Sequence, residues 1–439
     1  MALLENRIAA RILGAIRAHK PTGVPNDAPS RSDSERSVAK LREARFSDYQ
    51  AVADLKRRWG LGADSIENWE RLWRRNPASA ESPGERPIGW VLEANGEVVG
   101  YIGNVALQCR YGGRTLTAVT PHGLVVEPAY RGVGVSLNAA FFRQKGADLY
   151  LCTSAIPAVG QISVVLKADP VPQPDYGTVF FWVLQPKPFA KAVLRKLGIK
   201  SSLANAASVA ASIAIWVDTG LRRRRPGKSK GDASVTEIGV NELGNEFHEL
   251  WIEKTKERAR LLGDRSPETM RWHFDIPGSR DATCVLCCRK NEKLTGYAVV
   301  RDDEPDESGL RKSIIADLLV LNDDSAVVRA ILAAAHRHAK RAGSHILEVM
   351  GFPENIRRVF GEARPYQRKY PACPYYYKAA DPALHKTLAK AEAWYACPFD
   401  GDATLIRPSY SSSRVNVPVP EQYIEEQAVV VTVGAPPSK

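Results

Sequence analysis

The sequence predicts an α/β protein of mixed sheets, built from two copies of one fold with the second copy degenerate. Three observations carry this expectation. Residues 117–142 (TAVTPHGLVVEPAYRGVGVSLNAAFF) read as a buried strand, a glycine turn and a helix. The runs IGWVLEA and EVVGYIGNVALQC flank Asn95-Gly96, which signals a hairpin, so an antiparallel meander leads into a strand, helix, strand unit. From Val235 onward the same order of signals returns.

The chain has 439 residues, of which 44% are apolar and 25% charged, enough for two or three domains with real cores. A net charge of +12 is compatible with nucleic acid, an anionic membrane surface or an anionic ligand and does not choose among them. The seven cysteines are odd in number and lack framework spacing, and no secretory signal pattern is visible, so a cytoplasmic setting is expected. Cys284, Cys287 and Cys288 lie in the strand-like run TCVLCCRK and read as small buried residues. No metal is expected there.

In chain order, residues 1–20 interleave Leu3, Leu4, Ile8, Ile12, Leu13 and Ile16 with Arg7, Arg11, Arg17 and Lys20, a basic amphipathic helix able to touch an anionic membrane peripherally or dock on its own domain. Residues 21–37 read as a flexible linker, closing an N-terminal segment at 1–37. The first domain is expected over 38–187. It opens with the strand VAKLREA, a helix N-capped by Ser47 and a second helix carrying Trp69, Leu72 and Trp73. The hairpin, the strand feeding the glycine turn, a helix over 136–145 and the strand DLYLCTS follow. A short helix over 157–167 and an aromatic strand over 178–184 complete it. Residues 188–234 form a junction whose stretch 201–217 is uncharged but too weakly hydrophobic to span a bilayer, so it reads as a packed or interfacial helix before Arg222–Arg225.

At the glycine turn, Pro128 ends the strand because proline cannot donate to a ladder. Arg131, Gly132, Val133 and Gly134 then lead into a helix whose N-terminal amides and dipole suit a pyrophosphate. A dinucleotide fingerprint would need G-x-G-x-x-G with an acidic residue about 20 positions on, and a P-loop would need Gly-Lys-Ser/Thr. Neither is present. The run V-V-E-P-A-Y-R-G-V-G-V-S resembles the acyl-CoA pyrophosphate loop of the GNAT acyltransferase superfamily, with Arg131, Gly134 and Ser136 at its fixed positions. The resemblance implies acetyl-CoA or another acyl-CoA as co-substrate, held by Val125, Val126, Arg131, Gly132, Val133, Gly134, Val135 and Ser136.

The second copy is expected over 235–405, with VTEIGVNELGNEFHELW answering VAKLREARFSDYQAVADL, Trp272 answering Trp73 and Gly296 answering Gly100. At its turn, Asn322-Asp323-Asp324-Ser325 places carboxylates where a pyrophosphate would sit, so this copy is expected to be closed to coenzyme A. Residues 406–439 read as a disordered tail.

Acyl transfer to an amine needs a base and a donor to the departing thiolate. Glu127 and His122, on the strand beside the cofactor, are the candidate bases. The superfamily's acid, a Tyr in the helix after the fifth strand, is missing, since Ile156 and Ser163 stand at its pattern positions. Ser154, Ser163 or Tyr176 are the candidate replacements, with departure of the thiolate helped by solvent as one alternative and a domain that binds acyl-CoA with slow turnover or none as the other. The Asp400-Gly401-Asp402 turn after Trp394-Tyr395 resembles the ending of tandem-GNAT proteins from bacterial exopolysaccharide clusters, and its carboxylates are candidates to receive an amino sugar. The expected activity is a cytoplasmic N-acyltransferase whose acceptor is a small-molecule or saccharide amine, with no nucleic acid partner. The alternatives are a Fem-type aminoacyl transferase using charged tRNA, which usually lacks such a loop in its first copy, and a non-catalytic acyl-CoA-binding scaffold near the membrane.

Overall fold

The computed structural model describes residues 38–80, 86–154, 157–199, 201–227, 234–278, 282–369 and 375–405. The expectations for 1–37, 406–439 and Ile156 fall outside them. The first half runs β1 (Lys40–Glu43), α1 (Tyr49–Arg58), α2 (Ile66–Trp73), α3 (Pro77–Ala80), β2 (Gly89–Ala94), β3 (Glu97–Tyr111), β4 (Arg114–Val126), α4 (Val135–Arg143), β5 (Leu149–Cys152), α5 (Pro157–Val165), β6 (Asp169–Pro170) and β7 (Thr178–Val183). Two helices, α6 (Pro186–Lys196) and α7 (Ser201–Leu221), form the junction. The second half runs β8 (Ser234–Ile238), α8 (Asn245–Glu257), β9 (Leu262–Gly263), α9 (Pro267–Phe274), β10 (Thr283–Lys290), β11 (Lys293–Asp303) and β12 (Lys312–Val320). It continues through α10 (Ser325–Arg341), β13 (Ile346–Val349), α11 (Glu354–Glu362), β14 (Tyr366–Lys369), β15 (Tyr376–Ala379) and α12 (Pro382–Leu388).

Local chemistry sets many of these boundaries. Asn95 and Gly96 adopt left-handed φ of 52° and 79°, the conformation a tight hairpin between β2 and β3 requires. Ser65 and Ser266 cap α2 and α9 by accepting the amides of Asn68 and Thr269. Ser47, expected as a cap, instead lies inside a 3₁₀ turn, Phe46–Asp48, where Asp48 accepts the Arg45 amide at 2.7 Å.

The two sheets have matching strand orders, β1-β2-β3-β4-β5-β15-β6 and β8-β10-β11-β12-β13-β7-β14, with β9 also pairing β3. Along its main path each sheet therefore takes one strand from the other half. β7 lies antiparallel to β13, with Val183 opposite Ile346, and β15 lies antiparallel to β5, with Ala379 opposite Leu149. This corrects the expectation that 178–184 closes the first sheet. An aromatic run announces a strand, but nothing in its pattern says which sheet receives it. Neither 38–187 nor 235–405 alone holds a complete sheet.

In both halves a parallel pair opens into a splay. β4 and β5 pair only at Ala118 with Leu149 and Val119 with Tyr150, and β12 and β13 pair from Lys312 with Ile346 to Ile315 with Val349. Gly100 and Gly296 take equivalent places, opposite Val126 and Val320. Aligning α2 with α9 by their ends places Phe274, not Trp272, at the position of Trp73. Trp272 then matches Arg71, and these two equivalent residues bond each other across the halves: Arg71 donates to the Trp272 carbonyl at 2.6 Å and the Trp272 indole to the Arg71 carbonyl at 2.8 Å. Cys287 and Cys288 are buried in β10 as expected. Among the described residues no helix is long and apolar enough to cross a membrane.

Candidate functional site

The turn after β4 occupies residues 127–134 and begins as a 3₁₀ helix, Pro128–Val133, before α4 starts at Val135. Arg131, Gly132, Val133 and Val135 are exposed, so the N-terminus of α4 is open to an anion. Gly134 is buried, and its amide is turned inward to the carbonyls of Tyr130 and Arg131 at 3.1 and 3.0 Å, so that amide is spent within the turn. A Cβ at Gly134 would lie 3.1 Å from the Arg131 carbonyl oxygen and 3.2 Å from Val126, which explains the glycine. The Ser136 hydroxyl donates to the Val133 carbonyl at 2.6 Å. Val125 is buried and Val126 half-buried at the end of β4, past the last residue paired with β5. An exposed arginine, a helix N-terminus and a crowded glycine fit a phosphate-bearing ligand such as coenzyme A.

The second half shows what closes such a turn. Only residues 321–324 separate β12 from α10. The Asp324 carboxylate caps α10, accepting the amides of Ala326 and Val327 at 2.8 and 3.4 Å. Asp323 is gripped by Lys254, Arg258, Arg260 and Asn355 at 2.6 to 3.2 Å, and these cations hold its carboxyl far below the ordinary range against the effect of burial. Internal carboxylates thus take the amides and the positive charge that a phosphate would use. The adjoining splay is filled as well, since the buried Tyr395 donates to the Leu318 carbonyl at 2.7 Å.

His122 lies on β4 with 2% of its surface exposed, in a polar cluster roofed by α1 and α2. Its Nε2 is 3.4 Å from Asp64 Oδ2, and the same oxygen accepts from Lys56 Nζ at 2.6 Å. Asn68 donates to Asp64 Oδ1 at 2.8 Å. Burial pushes the Asp64 carboxyl up, but Lys56 and His122 more than reverse this and hold it well below the usual carboxylate value. Gly123 makes room for the lysine, for its φ is +65° and a Cβ there would lie 2.6 Å from Lys56 Nζ. The Tyr101 hydroxyl, Thr120 hydroxyl, His122 Nδ1 and the indole N–H groups of Trp69 and Trp73 are buried with no hydrogen-bond partner among the described residues. Buried polar atoms are nearly always satisfied, so this concentration marks a place where a polar ligand or water is accommodated. Asp64 facing Nε2 favours the tautomer that leaves Nδ1 as a proton acceptor. That is the chemistry of a general base.

Asp64, Lys56 and Tyr101 were not anticipated from sequence. The one available signal was Lys56 lying beside Leu55 on the apolar face of α1, where a lysine needs a buried counter-charge. Glu127, the other candidate base, is ion-paired with Arg58 at 2.8 Å. Tyr176 is buried at the junction of the halves, its ring 5.3 Å from that of Tyr375 and its carbonyl bonded to the Gly351 amide. Ser163 donates back to the Val159 carbonyl of its own helix at 3.0 Å.

Asp400 and Asp402 do not form an open acceptor turn. They are 7% and 1% exposed. Asp400 caps the Cys397 amide at 2.8 Å and lies 3.3 Å from Arg265, while Asp402 accepts from the Thr153 hydroxyl at 3.1 Å. A short acidic turn was legible in sequence, but the arginine that buries it, 135 residues away in the chain, was not. Glu237, Cys284 and His338 bring three possible metal-ligand atoms within 4.8 Å of one another. Arg341 already pairs with Glu237 and the His338 imidazole bonds Asp302 at 3.1 Å.

No protein-family model and no curated protein matches the sequence. Solved structures similar in fold include a GCN5-related N-acetyltransferase from Kribbella flavida, 15% identical over 80% of this chain and 73% of that one, TM-score 0.46. Another is a probable N-acyltransferase from Enterococcus faecalis V583, 8% identical over 78% and 72%, TM-score 0.49. A third is a GCN5-related N-acetyltransferase from Anabaena variabilis, 12% identical over 78% and 73%, TM-score 0.47. The functional reading below rests on the chain's own site.

Proposed function

We propose that the first half is an acyl-CoA-dependent N-acyltransferase of the GNAT type, with the second half a degenerate copy that completes the first half's sheet. The observation that carries this reading is the contrast between the two turns: the first is eight residues long and mostly exposed, with Arg131 at its surface, and the second is four residues long and filled by its own aspartates. The backbone of residues 131–136 and the end of β4 at Val125 and Val126 would hold the acyl-CoA, which supplies an activated acyl thioester. Lys56 and Asp64 keep a charge pair buried beneath β4, and His122 receives a proton at Nδ1 as an amine attacks the acyl carbon. The departing thiolate takes its proton from solvent or from a neutral hydroxyl, for which Tyr101 is a buried candidate, its hydroxyl and the His122 carbonyl both crowding Gly103.

The acceptor is proposed to be an amine. Amino sugars belong in the first panel, although the carboxylates once expected to receive them are buried in other roles. The test is release of free thiol from acetyl-CoA by the full chain across amino sugars, polyamines and amino acids. At least one acceptor is expected to accelerate release well above buffer. If saturating acetyl-CoA is bound yet no acceptor or acyl length yields thiol, the transferase reading falls and a binding role replaces it.

A further inference from the structure

The junction helix α7 is amphipathic in the reverse sense for a helix on a water-facing surface. The residues it turns toward the protein are small or polar: Ser208 is buried, and Asp218 and Thr219 engage the Tyr366 hydroxyl on β14, at 2.6 Å and 3.5 Å. Among the described residues of α7, Ile215 is the one large apolar side chain packed inward, against Phe181, Val183 and Ile346. Its open face carries Val209, Ile213, Trp216, Val217 and Leu221, which are 46%, 57%, 71%, 40% and 78% exposed. At 100° per residue these five fall within an arc of about 140°, one continuous stripe. An ordinary surface helix would place those residues inward and the polar ones out.

The hairpin that carries the stripe is also strongly basic. α6, which packs along α7, contributes Lys187, Lys191, Arg195 and Lys196, and the end of α7 contributes Arg222, Arg223, Arg224 and Arg225. Asp218 is the one acidic residue between 186 and 227, a stretch that with Lys200 carries nine cations against one carboxylate. Arg222 and Arg224 pair with Asp218 at 2.8 and 2.6 Å, and Arg224 also stacks 4.2 Å from the Tyr366 ring, which clamps the helix end in place. Arg223 and Arg225 are exposed.

We infer that α7 is a membrane-docking helix that lies in the plane of an anionic lipid surface, with Trp216, Ile213 and Leu221 entering the headgroup and acyl boundary and the arginines beside them meeting lipid phosphates. An exposed tryptophan within an apolar stripe, flanked by cations, is the composition that an interface of this kind selects. Beside residues 406–439, the N-terminal segment of this same chain is another candidate to cover the stripe. It is itself basic, with Arg7, Arg11, Arg17 and Lys20 against Glu5 in residues 1–20, so charge opposes its seating on this hairpin and favours an anionic surface. The inference is independent of the acyltransferase reading.

The test is co-sedimentation of the full chain with vesicles of phosphatidylcholine alone and with 30% phosphatidylglycerol, beside the exposed-face variant Ile213→Glu/Trp216→Glu and the charge variant Arg223→Ser/Arg225→Ser. The wild type is expected to pellet with the anionic vesicles, less so as salt rises, and weakly with the neutral ones. The apolar variant is expected to lose at least tenfold in partitioning, and the charge variant severalfold, with circular dichroism and melting temperature unchanged, since all four side chains are exposed. Pelleting by the apolar variant at the wild-type level overturns the inference and assigns membrane contact to residues 1–37. Failure of the wild type to pellet also overturns it, and loss of a wild-type dimer in the apolar variant by light scattering would then assign the stripe to a second copy of the chain.

Discussion

His122→Gln is expected to lower kcat for acyl transfer by about 10²- to 10⁴-fold while leaving KM for acetyl-CoA within a few fold, because a positioned general base contributes to the transition state and not to cofactor affinity. Glutamine keeps the volume and a hydrogen-bonding end but cannot accept the amine proton. Asp64→Asn should lower kcat as well, and it should also destabilise the fold, because Lys56 would keep a buried ammonium whose counter-charge, 2.6 Å away, has gone. The two variants therefore separate: one loses rate alone, the other rate and stability. Steady-state kinetics on His122→Gln at several pH values decides the matter. A wild-type rate, or a loss confined to KM, would remove His122 from the chemistry.

Arg265→Met should destabilise the folded chain by about 3–5 kcal/mol, the usual consequence of removing one partner from a buried charge cluster. The Arg265 side chain is fully buried, and its guanidinium donates to Asp317 at 3.0 and 3.1 Å, to Asp400 at 3.3 Å and to the Gly263 carbonyl at 2.8 Å. Tyr297 completes the network by donating to Asp317 at 2.9 Å. Burial pushes the Asp400 carboxyl up, and Arg265 is the main influence holding it down. Without the arginine, two carboxylates would be left in the core. Adding Asp317→Leu to Arg265→Met should recover part of the loss, since replacing a whole buried pair costs less than breaking it. Urea unfolding followed by fluorescence measures both, and a single-variant loss under 1 kcal/mol would contradict the account.

Arg265 also shows how the two copies diverged. It stands one residue before the Ser266 cap of α9, as Asp64 stands one residue before the Ser65 cap of α2. In the first half this position is a carboxylate paired with a lysine and a histidine; in the second it is an arginine paired with carboxylates. The charge is reversed, and the basic group that stands there is a guanidinium, already protonated and so unable to take a proton. With Asp323 and Asp324 in the turn, the second half fills both places with internal ion pairs.

Much of the fold was legible because local chemistry repeats: the Asn95-Gly96 hairpin, the proline that ends β4, and the return of the same order of elements after Val235; the caps were not, since Ser65 and Ser266 hold the role expected of Ser47. The two aspartates that close the second turn were also readable, since charge at a helix N-terminus acts locally. What escaped the sequence depends on long-range pairing. The exchange of β7 and β15 leaves each strand with the same apolar pattern it would have in its own sheet. Asp64 reaches His122 across 58 positions and Asp400 reaches Arg265 across 135, so neither the base's partner nor the burial of the acidic turn had a spacing to betray it.

The central claim is that the turn over 127–134 receives acyl-CoA, and calorimetric titration of the full chain with acetyl-CoA tests it most directly, alongside Gly134→Asp and Ser325→Asp. Gly134→Asp places a Cβ 3.1 Å from the Arg131 carbonyl oxygen and a negative charge at the start of α4. Ser325→Asp adds the same charge to the first turn of α10, where aspartates already stand. The account predicts saturable binding near one per chain for the wild type and for Ser325→Asp, and loss of binding for Gly134→Asp with its far-UV circular dichroism intact. Binding that survives Gly134→Asp, or that disappears in Ser325→Asp, would contradict it.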